Sequence, residues 1–309
     1  MKQIVAIDIG GTKIAAACYD NGVLSARSQI RTPAEQRDPE LVLSAIVQLV
    51  KKTAAEGGLT AIDYVGVACP GPLSPSHGVV INAPTLGWVN YPLRSRLQEE
   101  LGCPVLLEND ANCAAYGEYT MGAGKGCESI AYITVSTGVG AGIVAGGKLL
   151  EGYHESAGEL GHLHMVDDGE PCVCGRKGCL EAHASVTGIG KQYQKLMRAR
   201  GEEAEPSALA CAEKAKAGDQ ECLAIYQEAG KLLGRAFAIL QMVCDVEKII
   251  LGGSVSSQLE LLYPTIAENA AAFSYWGENP EKWLQLCALG ADAGLVGAGA
   301  LALEKANEP

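Results

Sequence analysis

Between Gly158 and Glu181 the chain reads GELGHLHMVDDGEPCVCGRKGCLE, so His162, Cys172, Cys174 and Cys179 place one imidazole and three thiols within eighteen residues. Three sulfur donors and one nitrogen are the ligand inventory of a tetrahedral zinc site. Those four fill every coordination position and leave none for an activated water, so the metal is expected to be structural. Gly175 and Gly178 let the backbone curl between Cys174 and Cys179. Glu159 and Glu181 flank the knot, and a loop stiffened in this way holds polar groups still. A redox pair, or three buried cysteines with no shared role, is the alternative. The Cys-x-Cys-x4-Cys run with a histidine ten residues upstream favours the metal.

Other stretches suit phosphate chemistry. The run QIVAIDI (3–9) ends near Asp8, and Gly10-Gly11-Thr12-Lys13 then turns into a second apolar run, KIAAACYD. Strand, glycine turn and strand predict a hairpin, not the strand–loop–helix of a Walker motif. Its unhindered N–H groups and hydroxyl can cradle phosphates, and Asp8 can hold magnesium through water. A plain hairpin fits the same residues, and the motif alone does not decide. In SIAYITVSTGVGAGIVAGG (129–147) two apolar strands meet around Thr137-Gly138-x-Gly140-x-Gly142, a second turn of the same kind. MGAGKG (121–126) is no P-loop, because Tyr119 stands where the first glycine is required and Gly126 replaces Ser/Thr. Glu108 is followed by Asn109-Asp110 at the start of an alanine-rich helix. An amide and a carboxylate there read as an N-cap, or as Asp110 projecting from the helix start as a general base.

The elements that must position these groups follow from apolar period and caps. A third strand is expected over 23–31, then a helix from Asp38 to Glu56 with Pro39 at its first position. A strand over 62–69 ends in Cys69-Pro70-Gly71-Pro72, a rigid turn at the sheet edge where open α/β folds bind ligands. A loop over 82–90, a helix near 92–101, a strand over 104–108 and the helix beginning ANCAAYGEYTMG come next. Helices are expected at 186–200 and within 207–245, the longest over about 219–243. The strand 247–253 ends in Gly252-Gly253-Ser254 and opens a helix; a last strand over 282–290 precedes a terminal helix over 290–306. The plan of 3–108 recurs more loosely from 129 onward, which predicts two related α/β halves with a cleft between them.

Bulk properties narrow the classes. The chain has 309 residues, 48% hydrophobic and 19% charged, with 38 glycines and two phenylalanines. That suits α/β units with closely packed backbones. A net charge of −12 argues against nucleic-acid binding, so an anionic ligand must be met by backbone amides or a metal. No apolar run is long enough for a membrane span, and no secretory leader is expected. The twelve cysteines lack framework spacing, and Cys18, Cys69, Cys113, Cys244 and Cys287 are embedded in apolar runs. Free thiols in a reducing cytoplasm are the expectation.

With Asp8-x-Gly10-Gly11-Thr12-Lys13, Glu108-Asn109-Asp110, Ser136-Thr137-Gly138-x-Gly140 and the GELGH…CVCGRKGCLE run in this order, the chain resembles the ROK family of bacterial sugar kinases and repressors. The resemblance spans essentially the whole chain. It implies an α/β actin-like ATPase (ribonuclease H-like) fold with two α/β domains around a cleft and a structural zinc loop. Residues 1–117 with about 292–309 would form the smaller domain, and 118–291 the larger, carrying the zinc loop and a helical insert. It implies phosphoryl transfer from magnesium ATP to the 6-hydroxyl of a hexose or hexosamine. Asp110 would be the base, Asn109, Glu159, His162 and Glu181 sugar contacts, and the Pro70-Gly71 turn would line the same pocket. Gly10, Gly11, Thr12, Lys13, Thr137 and Gly138 would hold the phosphates, Asp8 would support magnesium, and Gly253 would lie near the adenosine. The partners implied are a sugar and ATP, in a homodimer. Where glucokinases of the family tend to read Ala-Pro-Asn-Leu, this chain has Ala83-Pro84-Thr85-Leu86; Ser136, in place of a more usual glycine, resembles members acting on N-acetylmannosamine. Glucose is the first expectation. Repressors of the family carry an N-terminal winged helix, whereas this sequence opens on the first core strand, so a DNA-binding role is not expected. A sugar sensor would need no phosphate-binding turns.

Overall fold

The computed structural model describes residues 2–33, 38–83, 86–275 and 279–308. The first sheet grows from β1 (Ile4–Ile9), β2 (Lys13–Asp20) and β3 (Val23–Arg31), followed by α1 (Pro39–Glu56). Asp38 caps α1 through the N–H groups of Glu40 and Leu41, with Pro39 in the first turn as expected. Next come β4 (Tyr64–Cys69), β5 (Leu73–Ser74), β6 (Val79–Ala83), β7 (Trp88–Tyr91), α2 (Leu93–Leu101), β8 (Val105–Asn109) and α3 (Asp110–Met121). Strand order is β3-β2-β1-β4-β8, antiparallel across β1–β3 and parallel across β1, β4 and β8.

Strand periodicity sorts β1 between two layers. Val5, Ile7 and Ile9 pack with Val42, Ile46 and Val50 of α1. Ile4 and Ala6 face the other way, into a cluster with Cys113 of α3 and Leu295, Ala298 and Ala302 of the terminal helix. Asp8 shares the parity of Ile4 and Ala6, so its carboxylate is sent toward that helix: a Cβ on Gly294 would lie 3.3 Å from its Oδ2. In the parallel register Asp8 pairs with Ala68, and Ala68 with Glu108, which brings three strand ends to one edge.

The second sheet repeats this plan. It uses β9 (Ser129–Val135), β10 (Val139–Ala145), β11 (Lys148–Leu149), β12 (Lys248–Gly252) and β13 (Leu284–Leu286), in the order β11-β10-β9-β12-β13. Here too β12 runs parallel to its neighbours, β9 and β13. Between the strands lie α4 (Leu180–Ala184), α5 (Val186–Ala199), α6 (Ala208–Lys216), α7 (Gln220–Cys244) and α8 (Leu259–Phe273); α9 (Ala293–Asn307) closes the chain. Two compact units result: Met1–Glu128 with Gly142–Ala157 and Ala288–Pro309, and Ser129–Ala141 with Gly158–Cys287.

Several expectations need correction. Part of the stretch expected as a loop over 82–90 is strand: β5, β6 and β7 form a small sheet in which Trp88 stacks on Tyr91 at 5.3 Å. Pro84 and Thr85 of that stretch lie outside the described residues. The strand expected over 282–290 shrinks to Leu284–Leu286, with 3-10 turns at Pro280–Lys282 and Gly290–Asp292 on either side. A 3-10 turn, Ser254–Gln258, intervenes before α8. Cys18, Cys69 and Cys113 are buried, whereas Cys244 and Cys287 are only partly so.

Glu118, fully buried in α3, accepts N–H bonds from Ala123 at 2.8 Å, Ala288 at 3.1 Å and Leu289 at 2.7 Å. Three donors compensate a carboxylate that could not otherwise be buried. No described helix is long and apolar enough to cross a membrane.

Candidate functional site

The Cys/His knot is built by short-range backbone bonds. Cys172 N–H donates to Arg176 O at 2.8 Å, Gly175 N–H to Cys172 O at 3.0 Å, and Gly178 N–H to Glu170 O at 3.0 Å. Gly178 has φ +74°, and a Cβ there would meet Val166 O at 1.9 Å, so the turn admits only glycine. The ligand atoms of His162, Cys172, Cys174 and Cys179 all lie within 4.8 Å of one another. His162 Nδ1 stands 3.5 Å from Cys172 Sγ, and Cys174 Sγ 3.6 Å from Cys179 Sγ. Sulfur ligands at ~2.3 Å around a tetrahedral zinc stand roughly 3.8 Å apart, so the donor set fits that ion in kind and in spacing. All twelve cysteines are free thiols. The Arg176 backbone N–H, aimed at Cys174, pulls its thiol down to about 6, toward the thiolate a metal requires.

With Nδ1 toward the thiols, Nε2 of His162 faces outward, 3.7 Å from Glu159 Oε2. A cavity of about 410 Å³ lies beside the knot, lined by His162, His164, Asp168, Arg176, Lys177 and Cys179. Cys179 is the N-cap residue of α4, and Glu181 sits in its first turn. Glu181 Oε2 accepts the Val139 N–H at 3.0 Å, while Oε1 is 4.0 Å from Cys172 Sγ. Glu181, which flanks the knot, therefore holds the residue that follows the Thr137–Gly138 turn. A Cβ on Gly138 would come within 2.5 Å of Glu181 Oε2, and one on Gly161 within 2.2 Å of Val139 O. Ser136 N–H donates to Gly138 O at 2.8 Å and Ser136 Oγ meets Ser254 Oγ at 2.9 Å, beside Gly253. In this unit the structure thus brings together Glu159, His162, Glu181, Thr137, Gly138 and the three cysteines. Gly253, at φ +93°, packs against Val135 of the neighbouring strand.

The other unit gathers Asp8, Gly10–Lys13, Gly71, Asn109 and Asp110 at strand ends. In the hairpin, Gly10 N–H donates to Lys13 O at 2.8 Å and Gly10 O accepts the Thr32 hydroxyl at 2.7 Å. Gly11, Thr12 and Lys13 are exposed at its tip. Burial pushes the Asp8 carboxyl up to about 6 against the pull of Lys13 and Arg27, with Asp292 adding to the rise. Capping of α3 belongs to Asn109, whose Oδ1 accepts from Ala111 at 2.9 Å and Asn112 at 3.2 Å. Asp110 is the first residue of the helix, half-buried, its Oδ1 accepting the Ala111 N–H at 2.9 Å. Asn109 Nδ2 lies 3.3 Å from where a Cβ on Gly71 would be.

Three contributors were given no role from the sequence. Glu108 is buried beneath the Asn109-Asp110 pair and accepts from Asn109 N–H at 2.7 Å and Asn112 Nδ2 at 3.0 Å. Burial raises its carboxyl, with Asn112 and the Asn109 N–H opposing. Gly161 and Val139 carry no motif chemistry; only their packing reveals them.

Comparison with known proteins places these residues in a family. The model of the ROK family matches residues 4–305. A glucokinase of Halalkalibacterium halodurans is 33% identical, with 98% of each chain covered. An N-acetylmannosamine kinase of Escherichia fergusonii is 35% identical, with 96% of this chain and 97% of the other covered. Among solved structures, a ROK family glucokinase from Streptomyces griseus in complex with glucose and AMPPNP superposes with a TM-score of 0.82 at 32% identity, covering 98% and 99%. The fold is that of the actin-like ATPases, as the resemblance implies. On a match over nearly its whole length, the chain belongs to the ROK family.

Proposed function

We propose that the protein is a sugar kinase that moves the γ-phosphate of ATP to the 6-hydroxyl of a hexose, with glucose as first substrate. The observation that carries this reading is the bond from Val139 N–H to Glu181, which joins a glycine turn suited to phosphate to a knot whose His162 Nε2 and Glu159 face outward. Sensing a sugar needs the second feature but not the first. Relatives named glucokinase and N-acetylmannosamine kinase support the same class.

In this reading Asn109, Glu159, His162 and Glu181 bind the sugar hydroxyls, and the Pro70-Gly71 turn lines the pocket. Asp110 accepts the proton of the 6-hydroxyl as that oxygen bonds to the γ-phosphorus and the bond to ADP breaks. A loose transition state demands in-line alignment and charge neutralisation more than a strong base. Gly10, Gly11, Thr12, Lys13, Thr137 and Gly138 hold phosphates, and Gly253 lies near the adenosine. His162, Cys172, Cys174 and Cys179 would hold a zinc ion, which would supply rigidity, and Asp8 would support magnesium, which would supply positive charge. His162 commits Nδ1 to the knot, which fixes the proton on Nε2 and lets it donate to a sugar hydroxyl.

N-acetylmannosamine or N-acetylglucosamine is the second reading, favoured by Ser136, whose hydroxyl is held by Ser254. Twelve free cysteines suit a cytoplasmic enzyme, and we take the family's homodimer as the working assembly. A coupled ADP-release assay over glucose, mannose, N-acetylglucosamine and N-acetylmannosamine tests the proposal. Turnover with one of them is expected; sugar binding without turnover would point to a sensor instead.

A further inference from the structure

The three thiols of the knot lie on a loop whose two ends are held differently. At the Cys179 end, backbone bonds tie the loop to the preceding segment: Gly178 O accepts the Met165 N–H at 2.8 Å, and Leu180 N–H donates to Leu163 O at 2.9 Å. The other end enters through Glu170, two residues before Cys172. Glu170 O accepts the Gly178 N–H at 3.0 Å, which closes the loop on itself, and Glu170 N–H donates to Nε2 of His183 at 3.0 Å. His183 belongs to α4, the short helix that Cys179 caps and that carries Glu181 in its first turn. Its ring is partly buried, and its carbonyl accepts the Gln192 Nε2 of α5 at 2.8 Å. A ring nitrogen that accepts an N–H must offer a lone pair, so this imidazole is neutral with its proton on Nδ1. Burial acts in the same sense and lowers the His183 pKa. The ring reaches Glu170 only because residue 169 has no side chain: a Cβ on Gly169 would come within 2.5 Å of His183 Nε2 and 2.9 Å of Gly178 Cα. The carboxylate of Glu170 also pairs with Lys195 Nζ at 2.6 Å, but Lys195 is 61% exposed. Exposed ion pairs contribute about 0–1 kcal/mol, so the bond to the ring is the stronger tie at this end.

We propose that His183 is a positioning residue for the Cys/His knot: its Nε2 holds the segment leading into Cys172 against α4, so that Cys172 and the His162 Nδ1 beside it keep the spacing zinc requires. His183 acts through Glu170 and is not itself a ligand. Its effect on the sugar rests on the sugar-kinase reading, in which His162 is a sugar contact; the anchor itself does not.

The experiment compares His183→Gln with His183→Asn in the full chain purified with zinc. Glutamine places its amide oxygen near the position of Nε2 and asparagine near that of Nδ1, so both offer an acceptor and only glutamine reaches Glu170. Amide hydrogen exchange at Glu170 reads the bond directly. Protection close to the wild type is expected in His183→Gln, and exchange about tenfold faster in His183→Asn. Zinc transfer to a chromogenic chelator should be about tenfold faster in His183→Asn and within about twofold of the wild type in His183→Gln. The hexose KM should rise several-fold in His183→Asn while kcat and the ATP KM stay within about twofold. Gly169→Ala, which puts a methyl group in the way of the ring, should behave as His183→Asn does. Equal exchange and zinc release in the two amide variants, whether both match the wild type or both depart from it, overturns the proposal, because the reach of the acceptor would then not matter. If the wild type phosphorylates no sugar, the kinase reading fails on that count while exchange and zinc release still judge the anchor.

Discussion

Val139 donates its backbone N–H to Glu181 Oε2 at 3.0 Å, and the space between them is closed to any Cβ on Gly138. One carboxylate therefore links the Cys/His knot to the glycine turn. Glu181 is thus neighbour to Cys172 through one carboxylate oxygen and acceptor for Val139 through the other.

Two alanine substitutions separate packing from function here. A Cβ at Gly161 meets backbone, Val139 O at 2.2 Å, which cannot step aside; Gly161→Ala should cost about 2–4 kcal/mol of stability. At Gly138 the obstacle is the mobile end of Glu181, so Gly138→Ala should cost only about 1 kcal/mol while breaking the Val139 bond. The expected signature is a small change in melting temperature with a KM for ATP raised several-fold. Unchanged ATP kinetics in Gly138→Ala would remove the turn from the nucleotide site.

Asp110→Asn tests the base. The capping bonds of α3 come from Asn109, so the helix start survives the change. Phosphorylation should fall by roughly 10²–10⁴-fold, with sugar affinity by calorimetry largely retained. Equal loss of turnover and binding would argue that Asp110 orients the sugar rather than taking its proton.

Cys174→Ser tests the knot. Cys174 is exposed, so the substitution leaves the core intact and acts on the ligand set. One metal equivalent should be lost on elemental analysis, with a lower melting temperature and lost activity, because the imidazole of His162 is no longer tethered at Nδ1. Full activity in the metal-free variant would show that backbone bonds alone hold the loop.

Much of this was legible from residue types. Ligand spacing announced the knot, because only a few arrangements of thiols and imidazole serve one ion, and β1–β3, α1 and α3 followed from apolar period and caps. What stayed hidden is what depends on neighbours distant in sequence. That Glu181 also accepts the N–H of Val139, 42 residues away, could not be read from its sequence neighbourhood. Glu155 carries no motif, and the serines that donate to its carboxylate, Ser74 and Ser76, lie some 80 residues earlier. The small β5–β7 sheet was missed because two-residue and four-residue strands give too little alternation to register.

Asp8 carries the last prediction, and its sign is fixed by burial. The folded chain raises this carboxyl from 3.8 to about 6, so folding favours the protonated form. The stability it contributes is full below the unfolded value of 3.8 and is lost as pH rises through about 6. Above that the ionised group costs about 3 kcal/mol, at ~1.4 kcal/mol for each tenfold change in proton affinity. Asp8→Asn removes the charge, so it should be more stable than the wild type by up to that amount at pH 8 and by about half as much at pH 5. Magnesium should narrow the gap at pH 8 by stabilising the wild type alone, since a divalent ion offsets the buried charge. Kinase activity should be lost in the same variant, a trade of function for stability expected where a half-buried carboxylate serves a cation. Denaturant titrations at the two pH values, with and without magnesium, read all of this; a stability gain that does not change with pH would mean that the burial of Asp8 is not what sets its charge.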